Sequence, residues 1–352
     1  HDAMGQPFYH RLVTHGYSMS SSDPRSKRYM KLFALVPLAL HPEARDALLL
    51  CFGVGSTASA LVDSPGLNTI DVVDISRDIL DASGLLFPAP ARNPLRDPRV
   101  TTRVEDGRFF LQTTRRTYDL ITGEPPPPKI AGVVNLYTEE FFRLVRRRLN
   151  AGGCFSYWLP VYQMQPHEAR AIVRAFLNVF PEGTLWEGGG LNLMLVGRNG
   201  GGGLPSAAQF AGHWRQAEVA AELASLGLES PAQLAATFVA DAPALARFCA
   251  DARPLTDTFP QRISTDLRDR SPASPVYREL VDPEQARARF ESSAWVAASI
   301  PAEIRSASIP YFRVQGFLNY ALYPPFRPNP DVVVIDTLEV LRTTALQTLP
   351  LW

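Results

Sequence analysis

The sequence predicts an α/β fold built on a doubly wound sheet, with a small β-hairpin element before it and a mostly helical region after it. Three observations predict this class. Apolar runs typical of strands alternate with helical patterns over residues 45–200. The first run, Leu48–Phe52, is apolar without a break, as expected for a strand covered on both faces. A glycine-containing turn follows that run directly, and the combination is typical of a Rossmann-like sheet.

The other elements of the predicted sheet follow from shorter apolar runs and from helix signals between them. Further strands are predicted at residues 69–73, 100–104, 118–122, 154–159 and 193–196. Helices are predicted at residues 77–86, 137–149 and 166–180. The helix 137–149 has the clearest signals, because Thr138 can cap its start and Arg146–Arg148 lie at the negative end of its dipole. Strict alternation of strands and helices predicts a sheet that is mainly parallel.

Outside this sheet the sequence is organised differently. Three segments are predicted, 1–44, 45–200 and 201–352. The first contains a predicted hairpin at 10–22 and a helix at 26–40. The nearly all-glycine run 199–203 marks a linker. Beyond it, helical patterns such as 207–226 and 231–238 alternate with proline-rich loops.

The composition excludes several classes of protein. The formal net charge is +0 and the sequence pI is about 7.2, which removes the usual electrostatic basis for binding nucleic acid. The sequence has no apolar stretch of about 20 residues, so it predicts no membrane span of its own. Cys51, Cys154 and Cys249 lack metal-ligand spacing. They predict reduced thiols, no bound metal and a cytoplasmic location.

The first candidate binding motif follows the first strand. Gly53 and Gly55 belong to the pattern G-x-G-x-x-[G/A], which permits a tight turn and close approach of a ligand to the backbone. Asp74 follows about 20 residues later, at the end of the second strand, where a carboxylate can accept hydrogen bonds from both ribose hydroxyls. The alternatives are an ordinary glycine turn and, for Asp74, a helix cap.

The third strand is followed by Asp106 and Gly107, at the same predicted edge of the sheet. A carboxylate in this place would lie near the amino group of an adenine base. Ligands of open α/β sheets bind at the carboxyl ends of the strands, so three such ends carrying Gly, Asp and Asp predict a nucleotide site. The alternative for Asp106 is a cap on the helix that begins at Arg108.

The fourth strand ends in Glu124, which four prolines follow. These prolines form a stiff, extended segment that could wall off a ligand and hold Glu124 in place. A carboxylate facing the crevice can take a proton from an attacking amine, so Glu124 is the candidate catalytic base. A purely structural loop is the alternative. Tyr17, Tyr29 and Tyr137 are candidates for lining a substrate pocket, with half-buried packing as the alternative.

As a set, these motifs resemble the spermidine synthase (polyamine aminopropyltransferase) family. The resemblance runs from about His15 to Gly197. It is carried by the glycine turn and by the segments Val72–Ile75, Asp106–Phe110, Tyr118–Ile121 and Leu136–Phe142. The chain is most similar to a branch that is often fused behind membrane transporter-like segments.

The resemblance implies a class I methyltransferase-type sheet that holds decarboxylated S-adenosylmethionine or S-adenosylmethionine as co-substrate, without a metal. It gives the nucleotide-binding residues as Gly53, Gly55, Asp74, Ile75, Asp106 and Gly107. It assigns the activation of a small amine acceptor to Glu124. A homodimer is implied by the resemblance alone. The branch fused to transporter-like segments implies a membrane segment in a longer parent chain, and His1–Gly5 resemble the cut end of such a chain.

The sequence departs from the family pattern on the acceptor side. The family's catalytic Asp is Glu124 here, and a second acid of the pattern falls at Pro127. These departures predict an acceptor other than putrescine. Three other functions stay open at this point: a methyltransferase, a nucleotide-binding module without turnover, and a nicotinamide-dependent oxidoreductase. Neither Asp106-Gly107 nor the proline loop belongs to the last of these.

Overall fold

The computed structural model describes residues 9–14, 17–128, 132–189, 191–259 and 275–322. A two-stranded hairpin, of β1 (Arg11–Thr14) and β2 (Tyr17–Ser21), precedes an eight-stranded sheet. The strands of the sheet are β3 (Asp46–Leu50), β4 (Thr69–Asp74), β5 (Val100–Val104), β6 (Tyr118–Gly123), β7 (Leu149–Pro160), β8 (Thr184–Glu187), β9 (Asn192–Arg198) and β10 (Phe238–Ala240).

Helices cover the sheet and make up most of the described C-terminal region. Those before and within the sheet are α1 (Pro24–Leu40), α2 (Ser56–Val62), α3 (Arg77–Asp81), α4 (Ser83–Leu86), α5 (Gly107–Thr113), α6 (Glu139–Arg147) and α7 (Pro166–Val179). Those after it are α8 (Ala207–Phe210), α9 (Ala217–Ser225), α10 (Pro231–Ala235), α11 (Ala242–Phe248), α12 (Pro275–Val281), α13 (Pro283–Ser292), α14 (Ala294–Ser299), α15 (Ala302–Ser308) and α16 (Tyr311–Leu322).

The strand order of the sheet is β10-β8-β9-β7-β6-β3-β4-β5. Strands β7, β6, β3, β4 and β5 run parallel, whereas β9, β8 and β10 are antiparallel to their neighbours. The chain moves from β3 outward to β5 and then returns to β6, on the other side of β3. This reversal creates a switch point between β3 and β6, where open α/β sheets bind their ligands. The predicted doubly wound, Rossmann-like class is confirmed.

The central strands β3, β4 and β6 are buried along most of their length, whereas the edge strand β5 is largely exposed. Leu48 and Leu49 of β3 are 0% exposed. On one face, β7 meets α6 and α7 in an aromatic core, where the rings of Phe142, Phe155 and Phe176 have centroids 5.3 to 6.1 Å apart. On the other face α1 and α2 pack against the strands. This burial fixes the strand ends that carry the candidate site residues.

Helix α1 is enclosed to an unusual degree. The Asp23 side chain caps its start by accepting hydrogen bonds from the backbone N–H groups of Arg25 and Ser26. Every residue from Arg28 to Leu40 is buried. The sheet covers one face of this helix, and the helices of the C-terminal region cover the opposite face. A helix held on all sides is a firm support for any site residue that it carries.

The helical pattern predicted over residues 207–226 forms two helices rather than one. A turn at Gly212–Arg215 separates α8 from α9, because two side chains of this turn point inward. His213 forms a hydrogen bond with Ser64 Oγ at 2.8 Å, and Trp214 Nε1 donates to the carbonyl of Leu228 at 2.9 Å. These tertiary contacts override the local helical periodicity of the segment.

The predicted helix over residues 231–238 was wrong in its second half. Helix α10 ends at Ala235, and Phe238 begins β10, which pairs with β8. The ring of Phe238 packs against Trp186 with centroids 5.6 Å apart, so burial at the sheet edge decides the local structure. The three predicted segments stay a prediction, although β10 brings the third onto the sheet of the second. Within the described ranges, no helix is long and apolar enough to cross a membrane.

Candidate active site

The turn after β3 has the backbone conformation that its glycines suggested. Gly53 and Gly55 have φ of 56° and 80°, a region that favours glycine. A Cβ on Gly55 would lie 2.7 Å from Cζ of Phe52 and 2.8 Å from Cε2 of Phe87, so a larger residue does not fit there. Cys51 also has a positive φ, 71°, although it is not glycine. The chain therefore bends sharply at the carboxyl end of β3.

Asp74 ends β4 and ties this turn to the next strand. Its Oδ2 accepts the backbone N–H of Phe52 at 2.8 Å, and its Oδ1 accepts that of Ser76 at 2.9 Å. Burial raises the pKa of Asp74, and the two backbone hydrogen bonds oppose that rise. Each carboxylate oxygen has a second lone pair, so ribose hydroxyls could still be accepted. Ile75, the next residue, is 71% exposed and leaves an apolar surface beside the carboxylate.

Asp106 lies where β5 gives way to α5. Its Oδ1 accepts the backbone N–H of Phe109 at 2.8 Å, which is the cap that the sequence offered as the alternative role. The residue is exposed, so its carboxylate has further acceptor positions open to solvent. Gly107 begins α5 close to β3, since a Cβ there would lie 3.3 Å from Cδ2 of Leu50.

Glu124 follows β6 directly and points toward α1. Its Oε1 accepts the hydroxyl of Tyr29 at 2.6 Å. Burial raises the pKa of Glu124 to about 8, and the hydrogen bond from Tyr29 partly opposes this rise. The ring of Tyr29 is stacked on Trp158, with centroids 6.3 Å and planes 12° apart. The carboxyl group is therefore partly withdrawn from water and held by one oriented hydroxyl.

Backbone hydrogen bonds align these strand ends at one edge of the sheet. All three bonds are accepted by backbone carbonyls. The N–H of Cys51 donates to Val73 at 2.9 Å, that of Glu105 to Asp74 at 3.0 Å, and that of Glu124 to Leu50 at 3.4 Å. Burial raises the pKa of the Cys51 thiol, and the charges of Asp74, Glu124 and Asp106 raise it further. Asp74, Asp106 and Glu124 thus lie at or just after the carboxyl ends of β4, β5 and β6, the strands on either side of β3.

The other predicted tyrosines lie in different environments. Tyr137 is fully buried, and its ring lies 5.2 Å from that of Tyr157, whose hydroxyl donates to the carbonyl of Leu136. Burial raises the pKa of Tyr157, and Tyr137 and Cys51 raise it further. Tyr17 begins β2, opposite Thr14 in the hairpin. Of the three tyrosines, the structure brings Tyr29 to Glu124.

Several residues at this crevice were not predicted from the sequence. Ser20 of β2 is buried, and its Oγ lies 3.0 Å from where a Cβ on Gly53 would stand, so the hairpin reaches the glycine turn. Trp158 forms the floor under Tyr29. Cys51 had one readable signal, its place directly before the glycine motif. The contacts of Ser20 and Trp158 depend on the packing of distant segments and leave no local pattern.

A cavity of about 640 Å³ lies beside α2, away from these carboxylates. It reaches Val54 and Ser56 of the glycine turn, and its border mixes apolar residues such as Leu86 and Phe87 with several charged ones. Among these, Lys31 Nζ bonds to Asp63 at 3.1 Å and to Glu222 at 2.8 Å. Because these charges already bind one another, we assign the candidate site to the crevice at the end of β3.

In the described ranges, no group of three or more His, Cys, Asp or Glu side chains is placed to hold a metal ion.

Comparison with known proteins supports the resemblance that the motifs indicated. Residues 26–184 match the family model of the spermine/spermidine synthase domain. This segment, less than half of the chain, is similar to a spermine/spermidine synthase domain, and for that similarity it is called the spermidine synthase domain below. It contains every predicted site residue except Tyr17.

Relatives of this domain are similar over about half of the chain. The polyamine aminopropyltransferase of Nitrosomonas europaea is 28% identical over 192 residues, which are 51% of this chain and 58% of that protein. The polyamine aminopropyltransferase of Moorella thermoacetica is 31% identical over 158 residues, 45% of this chain and 55% of that protein. The chain thus spans a little over half the length of these relatives.

Solved structures give a weaker likeness. A probable spermidine synthase from Corynebacterium glutamicum aligns with a TM-score of 0.49 and 18% identity, over 73% of this chain and 90% of that one. The fold assignment of the spermidine synthase domain therefore depends on its own strand order and switch point.

Proposed function

We propose that this chain transfers an aminopropyl group from decarboxylated S-adenosylmethionine to an amine acceptor. The observation that carries the proposal is the place of Glu124, a partly buried carboxyl held by Tyr29 at 2.6 Å at the same sheet edge as Asp74 and Asp106. A base next to a nucleotide crevice is the arrangement that this transfer needs. The family match of residues 26–184 supports the same reaction.

The nucleotide half of the crevice would hold the donor. The bend at Gly53 and Gly55 lets the donor approach the backbone, and Asp74 accepts the ribose hydroxyls on its remaining lone pairs. Asp106 accepts the adenine amino group while it caps α5. The exposed side chain of Ile75 offers the adenine ring an apolar contact.

The chemical step joins the acceptor nitrogen to the donor's aminopropyl chain. The nitrogen lone pair attacks the methylene carbon bonded to the sulfonium, the carbon–sulfur bond breaks, and methylthioadenosine leaves with that electron pair. An alkylammonium must first lose a proton, which costs about 4 to 5 kcal/mol at neutral pH. That first proton goes to solvent; the nitrogen becomes positively charged again as the new bond forms, and Glu124, as carboxylate, takes a second proton from it. The sulfonium charge nearby favours the ionised form of Glu124.

Product analysis tests this proposal directly. The protein is incubated with either donor and a panel of amines, and products are identified by mass spectrometry. We expect methylthioadenosine and an amine that is heavier by one aminopropyl group. A methylated amine with S-adenosylhomocysteine would instead establish a methyltransferase. Ligand binding without any product would establish a module that binds the nucleotide and does not turn over.

The variant Glu124→Gln tests the role of the base. We expect turnover to fall by about 10²- to 10⁴-fold, because the amide cannot take the proton, while methylthioadenosine affinity is retained. Glu229→Gln is a matched control, since burial also raises the pKa of Glu229 but the residue lies on the loop between α9 and α10. Full turnover in Glu124→Gln would remove Glu124 from the mechanism.

Several wider predictions belong to the same proposal. The acceptor is an amine other than putrescine, as the replacement at Pro127 suggests. A homodimer, a membrane segment in a longer parent chain and a cytoplasmic location stay predictions from the resemblance and the composition.

A further inference from the structure

A buried arginine joins α1 to the C-terminal region. Arg28 is 1% exposed, and a buried guanidinium is costly unless its donors are bound. Its Nη1 donates to the carbonyls of Leu226 at 2.8 Å and Gly227 at 3.2 Å, and its Nη2 donates to Oε1 of Gln315 at 2.9 Å. All three partners belong to residues that follow the spermidine synthase domain. Arg28 thus connects one helix of that domain with two distant segments.

The place of Arg28 suits a cation. Leu226 and Gly227 form the turn that ends α9, and the carbonyl end of a helix carries partial negative charge. Burial lowers the pKa of Arg28 to about 10, and the charge of Glu187 opposes that fall. The guanidinium therefore stays charged at neutral pH. Gln315, on α16, also donates from Nε2 to the Glu187 carbonyl at 3.5 Å.

Tyr29, which follows Arg28 in α1, packs on Gly188, which follows Glu187 at the end of β8. A Cβ on Gly188 would lie 2.1 Å from Cβ and 2.6 Å from Cα of Tyr29, so the backbones touch there. Tyr29 is in contact with Gly188, and Gln315, which binds Arg28, also binds the carbonyl of Glu187, so α1 is held at the end of β8 at two consecutive residues. The hydroxyl of Tyr29 is the group that meets Glu124 at 2.6 Å. A small shift of α1 would lengthen that bond.

We propose that Arg28 and Gly188 are positioning residues that hold Tyr29 against Glu124, and that the C-terminal region supplies the hold through the α9 turn and Gln315. The catalytic consequence rests on the proposed function, but the positioning does not. Among the described residues, the Tyr29 hydroxyl lowers the pKa of Glu124, and the charge of Glu124 raises the pKa of the Cys51 thiol at the end of β3. Of these, only Tyr29 moves with α1.

The titration of Glu124 reports this positioning without any turnover. Glutamate labelled with ¹³C at the side-chain carboxyl is followed by NMR, and Glu124 is assigned from the signal lost in Glu124→Gln. Since the Tyr29 bond favours the ionised form, losing it raises the midpoint. We expect Arg28→Met and Gln315→Leu to raise it by about half a pH unit, as Tyr29→Phe does. Combining either variant with Tyr29→Phe should add no further shift.

Arg99→Met is the matched control. Arg99 also donates to three carbonyls, of Val62, Ser64 and Leu67, but joins other elements than α1. We expect it to lower the melting temperature without moving the Glu124 midpoint. Should Arg28→Met not fold, Gly188→Ala tests the same contact from the other side and should shift the midpoint upward.

Two outcomes separate this inference from the proposed function. An unchanged midpoint in Arg28→Met and Gly188→Ala would overturn the positioning role, whatever the enzyme does. A shifted midpoint together with full activity of Glu124→Gln would confirm the positioning and reject Glu124 as the base.

Discussion

At the scale of the residue, Glu124 sets the pH dependence of the proposed reaction. Burial raises its pKa to about 8. The base acts as carboxylate, and the ionised fraction falls as pH drops through that value. We therefore expect kcat/KM to lose a further factor of about ten for each pH unit below about 8, compared with its dependence above that value.

The pH profile of kcat/KM checks this expectation. The acceptor amine contributes its own slope up to about pH 10.4, and that slope should remain in Glu124→Gln. The break near 8 should disappear in this variant and move upward in Tyr29→Phe, because the Tyr29 bond lowers the pKa. A wild-type break at 4.5, the ordinary value for glutamate, would mean that the carboxyl is not desolvated as described.

The sequence could identify Tyr29 and Glu124 separately but not their contact. They stand 95 residues apart, and only the fold brings the hydroxyl to the carboxyl. Arg28 is a stronger case, since an arginine in a helix is normally exposed. Its partners lie 198, 199 and 287 residues away, so no local pattern could show that it is buried. Chemistry can be inferred from residue type, whereas pairing depends on tertiary structure.

At the scale of the element, long apolar runs followed by glycine or aspartate were predictable. Strand β3 has such a run, and β4, β5 and β6 were predicted at shorter segments before Asp74, Asp106 and Glu124, so their carboxyl ends could be assigned to one edge. Strands β8 and β10, of four and three residues, were missed. Strands this short have no periodicity of their own, and their pairing with each other decides their structure.

The start of α5 provides an element-scale prediction, because Asp106 has two proposed tasks there. Asp106→Ala removes the cap, and we expect a loss of about 1 kcal/mol in unfolding free energy. Asp106→Asn keeps a capping oxygen, so stability should be nearly unchanged while affinity for methylthioadenosine falls. Denaturant unfolding and calorimetric titration measure the two effects. Unchanged affinity in Asp106→Asn would leave Asp106 as a cap and nothing more.

At the scale of the whole molecule, residues 26–184 hold the candidate site and the C-terminal region completes its surroundings. Strand β10 extends the sheet, and the α9 turn and Gln315 bind Arg28 of α1. The glycine-rich run at 199–203 suggested a domain boundary, but residues before and after it pack together in one hydrophobic cluster. The N-terminal helix is consequently enclosed between the sheet and the C-terminal helices.

Ligand binding should therefore stabilise the molecule as a unit. Methylthioadenosine at about 100 times its Kd contributes roughly 2.7 kcal/mol to the free energy of unfolding, which should raise Tm by several degrees. Asp74→Asn should lose most of this shift because a ribose acceptor is gone. Asp119→Asn is the matched control: Asp119 also accepts backbone N–H groups, of Arg45 and Asp46, but at the opposite ends of the strands. Equal shifts in both variants, measured by thermal unfolding with and without ligand, would place the nucleotide outside the crevice at β3.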